Sequence, residues 1–539
     1  MVKFKTFIAI LLLAQTLVFS QNLSKDFTVS TAKPYDVIDA GSKEYISLDN
    51  GFVIMAKMSK GIVYLQKFDV NQMKEVSRNT YSDLPKKAFF QDIIKLEDRI
   101  YYIFEVFDKK AGTFKVYSRE INTNDASFKK QVVLFTTSRR VVNPRKTGEL
   151  SRARVGFAAF AAGPKFKIHK SFDESKVMIN YRCYPISKDD SKNYDEIGFY
   201  VFDNKMQKIW GKEVKMPYTE KQINNIAYSI SSNGEAKMLV ANNQKKSYEV
   251  FLINTSGKLI AKELGMSTDQ LVRNMKIKEN KSGNFICAGY YANGIEFKFN
   301  VFTGGVFVFN VNGLMYFEMD KDGNLLKNKN FNFSKEFIQQ NLNDRQKKAV
   351  EKREKDGKAG ILDLFLTDFV VKEDGSAFFI GERQYVRNEY YGPQKKQVYH
   401  FSNVVAIKVN KNGDLAWMKK LTKNQAGIMG GGQMSIAYME GKTADYVTYV
   451  DNPKNIELNA NDGIPVAHKD GLGGYLTTYK IDHATGAIEK HTICDLNNIN
   501  NHKAYQFKTW RILRAGDGIF LMEIYIKGKK DTMVKFVLN

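Results

Sequence analysis

The 539-residue sequence predicts an all-β fold, a single β-propeller of eight (or seven) four-stranded blades with a short helical insertion. Three observations predict it: an aromatic-rich composition and two strand-turn signals that recur along the chain. Hydrophobic residues make up 43%, which is an ordinary globular proportion and excludes a disordered chain. The 28 Tyr and 38 Phe favour strands over helices.

The first recurring signal is a strand, a tight turn and a second strand, as in SLDNGFVIMA, KEDGSAFFIG and AGDGIFLMEI. Eight copies occur, near residues 50, 98, 174, 233, 283, 375, 441 and 517. Gly, Asn and Asp between apolar runs are typical of hairpin turns. Each copy therefore supplies the first two strands of one unit.

The second signal is an apolar strand that ends in Asp or Asn, followed by a tight turn and a Lys-rich strand. Its anchor residues are Asp69, Asn122, Asp203, Asn254, Asp320, Asn410 and Asp482. Their side chains can accept hydrogen bonds from backbone amides two positions on, and Gly257, Gly323, Gly413 and Gly486 supply positive φ. Seven of the eight first signals are followed by such an anchor, which gives four strands per unit and indicates a propeller.

The eighth unit ends on VKFVLN, so it lacks a fourth strand of its own. Residues 25–30, KDFTVS, resemble the other fourth strands and are predicted to close the ring there, because closure removes both sheet edges. Solenoids and two packed β-sandwiches are the alternatives. Seven blades would result if the poorly formed second copy were not a blade.

The long segments fall at corresponding places in the units. Within blades they are about 181–196, 292–311, 384–402 and 450–474, and between blades about 139–165 and 334–360. Second-third loops and inter-blade connections share one face of a propeller, so that face should carry the elaboration. Loops on a rigid scaffold usually carry binding functions.

Residues 1–20 are predicted to be a secretory signal peptide. Lys3 and Lys5 precede an apolar run over 7–19, and Val18 and Ser20 suit cleavage before Gln21. An uncleaved anchor is the rival interpretation, although no other stretch approaches the roughly 18 apolar residues of a membrane helix. The propeller domain would then be 21–539 and periplasmic, with secretion or the cell surface as alternatives.

Three sets of residues are candidates for partner binding. Each also has a structural interpretation: a disordered basic loop, a helix packed on the rim, or strand packing. Residues 334–360 read as a helix that starts at the cap Ser334 and ends at Asp356-Gly357. The second set is a basic segment that could contact an acidic protein or a lipid headgroup: Arg139, Arg140, Arg145, Lys146, Arg152 and Arg154. The third set is a segment rich in aromatic rings that could contact protein or sugar: Tyr390, Tyr391 and Tyr399.

Catalytic signatures are scarce. The six His show no zinc spacing, no G-x-S-x-G occurs, and Gly430–Gly432 lacks the context of a phosphate loop. No cofactor or metal is expected. The scarcity of motifs argues against an enzyme but does not exclude one. Cys183, Cys287 and Cys494 are too few for a disulfide framework, so they are expected to be buried and apolar, with one bridge as the alternative.

Short segments of the sequence resemble two groups of known proteins. YKIDHATGAIEKH resembles the D-x-x-T-G-x-x-x-W signature of pyrroloquinoline-quinone-like propeller repeats through Asp482, Thr485 and Gly486, but Lys490 replaces the Trp. That group includes quinone enzymes and a non-catalytic propeller of outer-membrane assembly. The combination of LVFSQN, GERQY and YHFSNVVAIKVNKNGDLAWMKKLTKNQ is similar to large exported proteins of Bacteroidota, over about 270–490.

The sequence as a whole predicts a periplasmic, non-catalytic propeller that binds protein partners near the outer membrane. The net charge of +24 favours a partner with an acidic surface, in an envelope complex. The export signal disfavours nucleic acid. The alternative function is a glycan-binding or glycan-cleaving propeller that uses the loop-rich face.

Overall fold

A computed structural model describes residues 24–142, 164–187, 189–300, 304–391, 393–428, 433–458, 463–469 and 473–539. Strands β1 (Phe27–Thr31) and β2 (Tyr35–Asp36) come first. Blade 1 follows with β3–β6 (Ser42–Ser47, Phe52–Ser59, Ile62–Asp69, Lys74–Tyr81), and blade 2 with β7–β10 (Phe89–Leu96, Arg99–Asp108, Thr113–Ile121, Phe128–Thr137). Blade 3 contains β11–β14 (Lys167–Lys170, Lys176–Arg182, Tyr194–Asp203, Lys208–Thr219), and blade 4 contains β15–β18 (Ile223–Ile230, Ala236–Asn242, Ser247–Ile253, Leu259–Ser267).

The second half of the ring is more elaborate. Blade 5 contains β19–β22 (Leu271–Glu279, Phe285–Asn300, Gly304–Met319, Leu325–Asn332), and helices α1 (Lys335–Gln339) and α2 (Asp344–Lys355) and strand β23 (Ile361–Leu362) follow it. Blade 6 contains β24–β27 (Leu364–Val371, Ala377–Tyr391, Gln394–Val409, Leu415–Gly427). Blade 7 contains β28 and β29 (Ile436–Glu440, Ala444–Asp451), then β31 and β32 (Tyr475–Asp482, Ile488–Asp495), while β30 (His468–Lys469) pairs with β27. Blade 8 contains β33–β35 (Leu513–Gly516, Ile519–Ile526, Lys530–Leu538).

All eight blades are present, including the second. Each is a sheet whose strands follow in chain order, apart from the added strands and the closing strand of blade 8. Every first-second turn lies where the first sequence signal placed it, so the prediction of eight blades is confirmed and the seven-blade alternative is wrong. The third-fourth turns use the predicted chemistry: Asp203 Oδ1 accepts hydrogen bonds from the amides of Lys205 (2.9 Å) and Gln207 (2.8 Å).

The ring closes through the amino-terminal strand. Strand β1 pairs antiparallel with β35 as the fourth strand of blade 8, with Phe27 opposite Leu538 and Thr31 opposite Val534. The pairing continues beyond β35, where the amide of Asn539 donates to the carbonyl of Asp26 at 2.9 Å. The predicted closing segment 25–30 is thereby confirmed, with an extension to residue 31.

The core lies in the seams between blades. Eight apolar clusters occur among the described residues at these seams, and each combines side chains of two adjacent blades, from the seam of blades 1 and 2 around to that of blades 8 and 1. Burial of apolar surface at every seam is the main stabilising term. Since each blade is held on two sides, the sheets form a rigid base for the loops.

The cysteines contribute to these seams as small apolar side chains. Cys183, Cys287 and Cys494 are buried, unbridged, and lie in three different clusters. Burial raises the pKa of the Cys494 thiol to about 12, which keeps it protonated and unreactive. Within the described part of the chain, no helix is long and apolar enough to cross a membrane. The predicted signal peptide, 1–20, lies outside the described residues.

Candidate protein-binding face

The two faces of the propeller differ in their loops. First-second and third-fourth turns share one face, and none is longer than six residues; we call this the smooth face. The second-third loops and the inter-blade connections begin and end at the opposite, elaborated face. The longest of them, of which the structure places only the described residues, are 138–166, 183–193, 293–310, 333–363, 386–397, 452–474 and 496–512. The last of these connections was missed in the sequence, because it lacks a charge or glycine bias.

Exposed apolar side chains follow the same division. Seven of those in the described residues lie on outer, fourth strands: Val76, Val132, Val133, Ile209, Ile260, Leu326 and Leu415. The other ten lie at the elaborated face: Phe89, Phe107, Ile186, Tyr194, Leu271, Val386, Tyr390, Ile428, Ile464 and Val466. Ile186 is 88% exposed and Tyr390 71%, whereas no smooth-face turn in the described residues contributes to the set. Because contiguous exposed apolar groups mark interaction surfaces, the elaborated face is the candidate binding face.

Two long hairpins rise from this face. Strands β20 and β21 stay paired as far as Asn300 and Gly304, although their inner neighbour β19 pairs only as far as Ala292. Strands β25 and β26 stay paired as far as Tyr391 and Gln394, whereas β24 ends opposite Arg383. Measured from the inner strand, each hairpin extends about eight residues, roughly 26 Å at 3.3 Å per residue, and β23 and β27 flank the first few of these residues. Alternating apolar residues, as in IEFKFN and VFVFN, were the overlooked sequence signal for the first hairpin.

The β25–β26 hairpin has two chemically different faces, because side chains alternate along a strand. On one face the Tyr385 ring stacks on the His400 ring, with centroids 4.6 Å apart and planes 8° apart. The guanidinium carbons of Arg383 and Arg387 lie 4.5 Å and 4.7 Å from the centroid of the same tyrosine ring. His400 Nε2 contacts Glu389 Oε1 at 2.9 Å, yet burial outweighs this carboxylate and lowers the pKa of His400.

The other face of this hairpin carries two of the predicted tyrosines. Tyr390 is exposed at the elaborated face, as a partner-binding ring requires. Tyr399 is only 8% exposed and joins Phe401 and Met434 in a small apolar cluster, so it follows the strand-packing alternative. The side chain of Tyr391 lies outside the described part of the structure.

The basic segment is only partly described. Arg145, Lys146, Arg152 and Arg154 lie outside the described residues. Arg139 forms an ion pair with Glu196, and the Arg140 guanidinium lies 4.3 Å from the centroid of the Tyr184 ring. These two arginines therefore fix the start of the connection against the second-third loop of blade 3.

The helical insertion contains two helices where the sequence predicted one. Ser334 caps α1 and the helical segment ends at Asp356 and Gly357, as predicted, but Asn341 adopts φ 59° between the helices. This left-handed residue is one that Asn tolerates, and it interrupts the helix. Ile338 and Val350 are buried in the seam between blades 5 and 6, which is the packing alternative for this segment.

A buried polar network holds the loops of blades 6 and 7. Lys423 Nζ lies 2.8 Å from Glu382 Oε1, and both side chains are fully buried. Ser435 Oγ donates to Glu382 Oε2 at 2.7 Å, which joins this pair to the connection between the blades. The ammonium also donates to Gln425 Oε1 at 2.7 Å. Because these contacts join strands of blade 6 to the connection that leads into blade 7, the network fixes the positions of the loops.

Two ionisable carboxyl groups lie on adjacent first strands, the innermost of each blade. Burial raises the pKa of Asp92 to about 6, and the nearby charge of Glu44 adds to the effect. Burial also raises the pKa of Glu44, against the influence of Arg511 and Lys508. A carboxyl group whose pKa is raised towards neutral pH can act as a general acid. No group of three or more His, Cys or carboxylate side chains suited to a metal ion occurs in the described ranges.

No protein-family model matches the chain, and no curated protein sequence is similar to it. Among solved structures, a Dos1 propeller matches with a TM-score of 0.42 and 9% identity, over 95% of this chain and 96% of the other. The WD40 domain of SCAP from fission yeast matches with a TM-score of 0.34 and 6% identity, over 95% and 94%. Dipeptidyl peptidase 4 of Porphyromonas gingivalis matches with a TM-score of 0.34 and 9% identity, over 92% and 67%. At these similarities the matches assign no activity, and the fold assignment rests on the eight sheets themselves.

Proposed function

We propose that this protein is an exported, periplasmic, non-catalytic β-propeller that binds a protein partner near the outer membrane through its elaborated face. One observation carries the proposal: both projecting hairpins and ten of the exposed apolar side chains of the described residues lie on that one face. Eight packed seams make the base rigid, so the loops present these groups at little cost in conformational entropy.

The binding experiment compares the two faces. One variant shortens the β25–β26 hairpin by replacing 388–397 with Asn-Gly, a sequence suited to a two-residue hairpin turn that keeps Arg387 opposite Val398. The control carries Lys321→Gln and Lys411→Gln, two exposed lysines of smooth-face turns. After crosslinking in the native envelope, the shortened variant should lose the partners that the wild type and the control recover. Equal recovery by all three proteins would refute binding through this hairpin, and loss from the control alone would place the partner on the smooth face.

The periplasmic location has its own measurement. Removal of residues 1–20 should retain the protein in the cytoplasm, whereas the full chain should fractionate with the periplasm after cleavage before Gln21. Recovery of full-length, unprocessed chain in the membrane fraction would favour an uncleaved anchor.

A glycan-cleaving function is the second candidate, and Asp92 is the observation that favours it, because its pKa of about 6 suits a general acid. Release of reducing ends from envelope polysaccharides by the wild type, and its loss in Asp92→Asn, would support this candidate. Absence of any release by the wild type would leave the binding function in place.

A further inference from the structure

Positive charge gathers in the corner between the β25–β26 hairpin and helix α2. Arg383 lies at the base of this corner, where its Nε donates to the carbonyl of Leu362 at 3.0 Å. The charges of Arg387 and Arg353 act on the Arg383 guanidinium, and the charge of Arg383 acts on the ammonium group of Lys420. Three elements of the elaborated face thus converge on one positive region.

Three of these four cations have no carboxylate of the described residues at ion-pair distance. In the part of the chain that the structure describes, no ion pair joins Arg383, Arg387 or Lys420 to an Asp or Glu. Lys420 Nζ donates to the backbone carbonyls of Ile338 (2.9 Å) and Gln340 (2.8 Å).

Two acidic groups lie nearby. Glu389 is bound to His400, and Asp363 attracts Arg383 from a distance. Burial lowers the pKa of Arg383 and outweighs the opposing influence of Tyr385 and Asp363, while the charges of Arg387 and Arg353 add smaller contributions in the same direction as burial.

Helix α2 extends this positive region. Its twelve residues contain six Lys or Arg against three Asp or Glu, and Val350 is its only fully buried side chain. Since the helix lies on the rim beside the hairpin, its exposed cations add to the field that a charged partner meets on approach.

We infer that the corner formed by Arg383, Tyr385, Arg387 and helix α2 binds an acidic, extended segment of the partner protein. The two guanidiniums supply planar donors that match carboxylates, and the Tyr385 ring holds both of them side by side. The inference rests on the proposed binding function and gives it a location and a partner chemistry.

The recessed position of Arg383 favours a protein segment over a membrane surface. Arg383 is partly buried and lies eight residues from Tyr391 at the end of β25, roughly 26 Å along the strand. A flat bilayer that touches the hairpin end would not reach it, whereas a chain with Asp or Glu side chains can enter the corner.

The experiment uses the mature full-length protein and two labelled peptides, ten glutamates and ten glutamines. The wild type should bind the glutamate peptide and not the glutamine peptide, with an affinity that falls as salt is raised from 50 to about 300 mM. In the double variant Arg383→Gln/Arg387→Gln the affinity should fall about tenfold or more, because charge-assisted hydrogen bonds are lost. The smooth-face variant Lys321→Gln/Lys411→Gln removes the same charge and should bind as the wild type does.

Three further readouts keep the inference testable. Arg387 is exposed, so Arg387→Gln alone should fold normally and still lose a several-fold part of the affinity. An equal loss of affinity in the smooth-face variant would show an effect of net charge and would overturn the inference. So would a wild type that leaves the glutamate peptide unbound but binds anionic phospholipid vesicles, if the same arginine changes abolish that vesicle binding. If envelope partners are still captured by Arg383→Gln/Arg387→Gln but not by the shortened hairpin, the acidic-segment site is wrong and the binding function stands.

Discussion

The seam between blades 8 and 1, next to the sheet in which the ring closes, contains a buried ionic cluster whose removal should destabilise the protein. Glu523 on β34 accepts four hydrogen bonds. Its Oε1 accepts from Lys57 Nζ (2.5 Å) and Tyr35 OH (2.7 Å), and its Oε2 accepts from Lys43 Nζ (2.9 Å) and Tyr45 OH (2.8 Å). Lys57 is fully buried and Glu523 is 3% exposed. The substitution Glu523→Gln keeps the side-chain shape and removes the charge that these donors share.

The magnitude follows from the pKa of Glu523. Burial would raise it, but Lys57 and Lys43 outweigh burial and lower the pKa from 4.5 to about 2. Since one pKa unit corresponds to 1.36 kcal/mol, ionised Glu523 contributes roughly 3 kcal/mol, in line with the 3–5 kcal/mol typical of a broken buried pair. Because the folded-state pKa is the lower one, this stability is complete above about pH 4.5 and is lost as the pH falls towards 2.

Asp531 partly offsets this effect. Burial, followed by the charge of Glu523, raises the pKa of Asp531, so its ionisation costs stability near neutral pH. Glu523→Gln relieves that repulsion, which places the expected net loss at the lower end, about 2–3 kcal/mol at pH 7.

Urea denaturation at pH 7, 5, 4 and 3 measures the effect. Glu523→Gln should lower the free energy of unfolding at pH 7, and its difference from the wild type should shrink at pH 4 and 3. Hydrogen exchange should accelerate in β1 and β35. The control Glu382→Gln breaks a buried pair within blade 6 and should accelerate exchange there, leaving β1 unchanged. Equal unfolding free energies for Glu523→Gln and wild type at pH 7, or a difference that does not depend on pH, would refute the reasoning.

Three further predictions concern the ring, a turn and the inner strands. Deletion of residues 21–32 removes the partner of β35 and should lower the melting temperature and solubility, whereas unchanged values would contradict closure by β1. Gly486→Ala should lower the free energy of unfolding in urea by about 1–3 kcal/mol, because Gly486 has φ 66° and an added Cβ would lie 2.6 Å from Trp417 Cγ. An unaltered midpoint of urea denaturation would contradict this prediction. Asp92→Asn should stabilise the fold by roughly 3 kcal/mol at pH 7, because the raised pKa means that ionisation of Asp92 costs stability. The gain should vanish below about pH 4, and a loss of stability at pH 7 would show that the charge is needed.

The blades could be predicted because their signals are local. An anchor such as Asp203 makes its turn with residues two to four positions away, so the same short pattern forms the same turn in every blade. Closure of the ring could be predicted because the eighth unit lacked a fourth strand and residues 25–30 resembled the fourth strands of the other units. The aromatic load identified strands but did not specify the side of the sheet on which each ring lies.

The site was harder to predict because it depends on residues that meet only in space. Tyr390 and Tyr399 have the same chemistry in the sequence, yet register places Tyr399 against Phe401 and Met434 and leaves Tyr390 exposed. The positive corner joins Arg383 with Lys420 and helix α2, and no short pattern connects these segments. The break at Asn341 depends on one left-handed residue, which a helical periodicity does not reveal.

Photo-crosslinking at single positions tests the central claim most directly. A photoreactive amino acid is placed at Tyr390 or Ile186 on the elaborated face, or at Lys321 or Lys411 on the smooth face, and the native envelope is irradiated. Binding through the elaborated face predicts a discrete protein adduct from Tyr390 or Ile186 and none from the two lysine positions. Adducts from the smooth face, or equal labelling at all four positions, would contradict it.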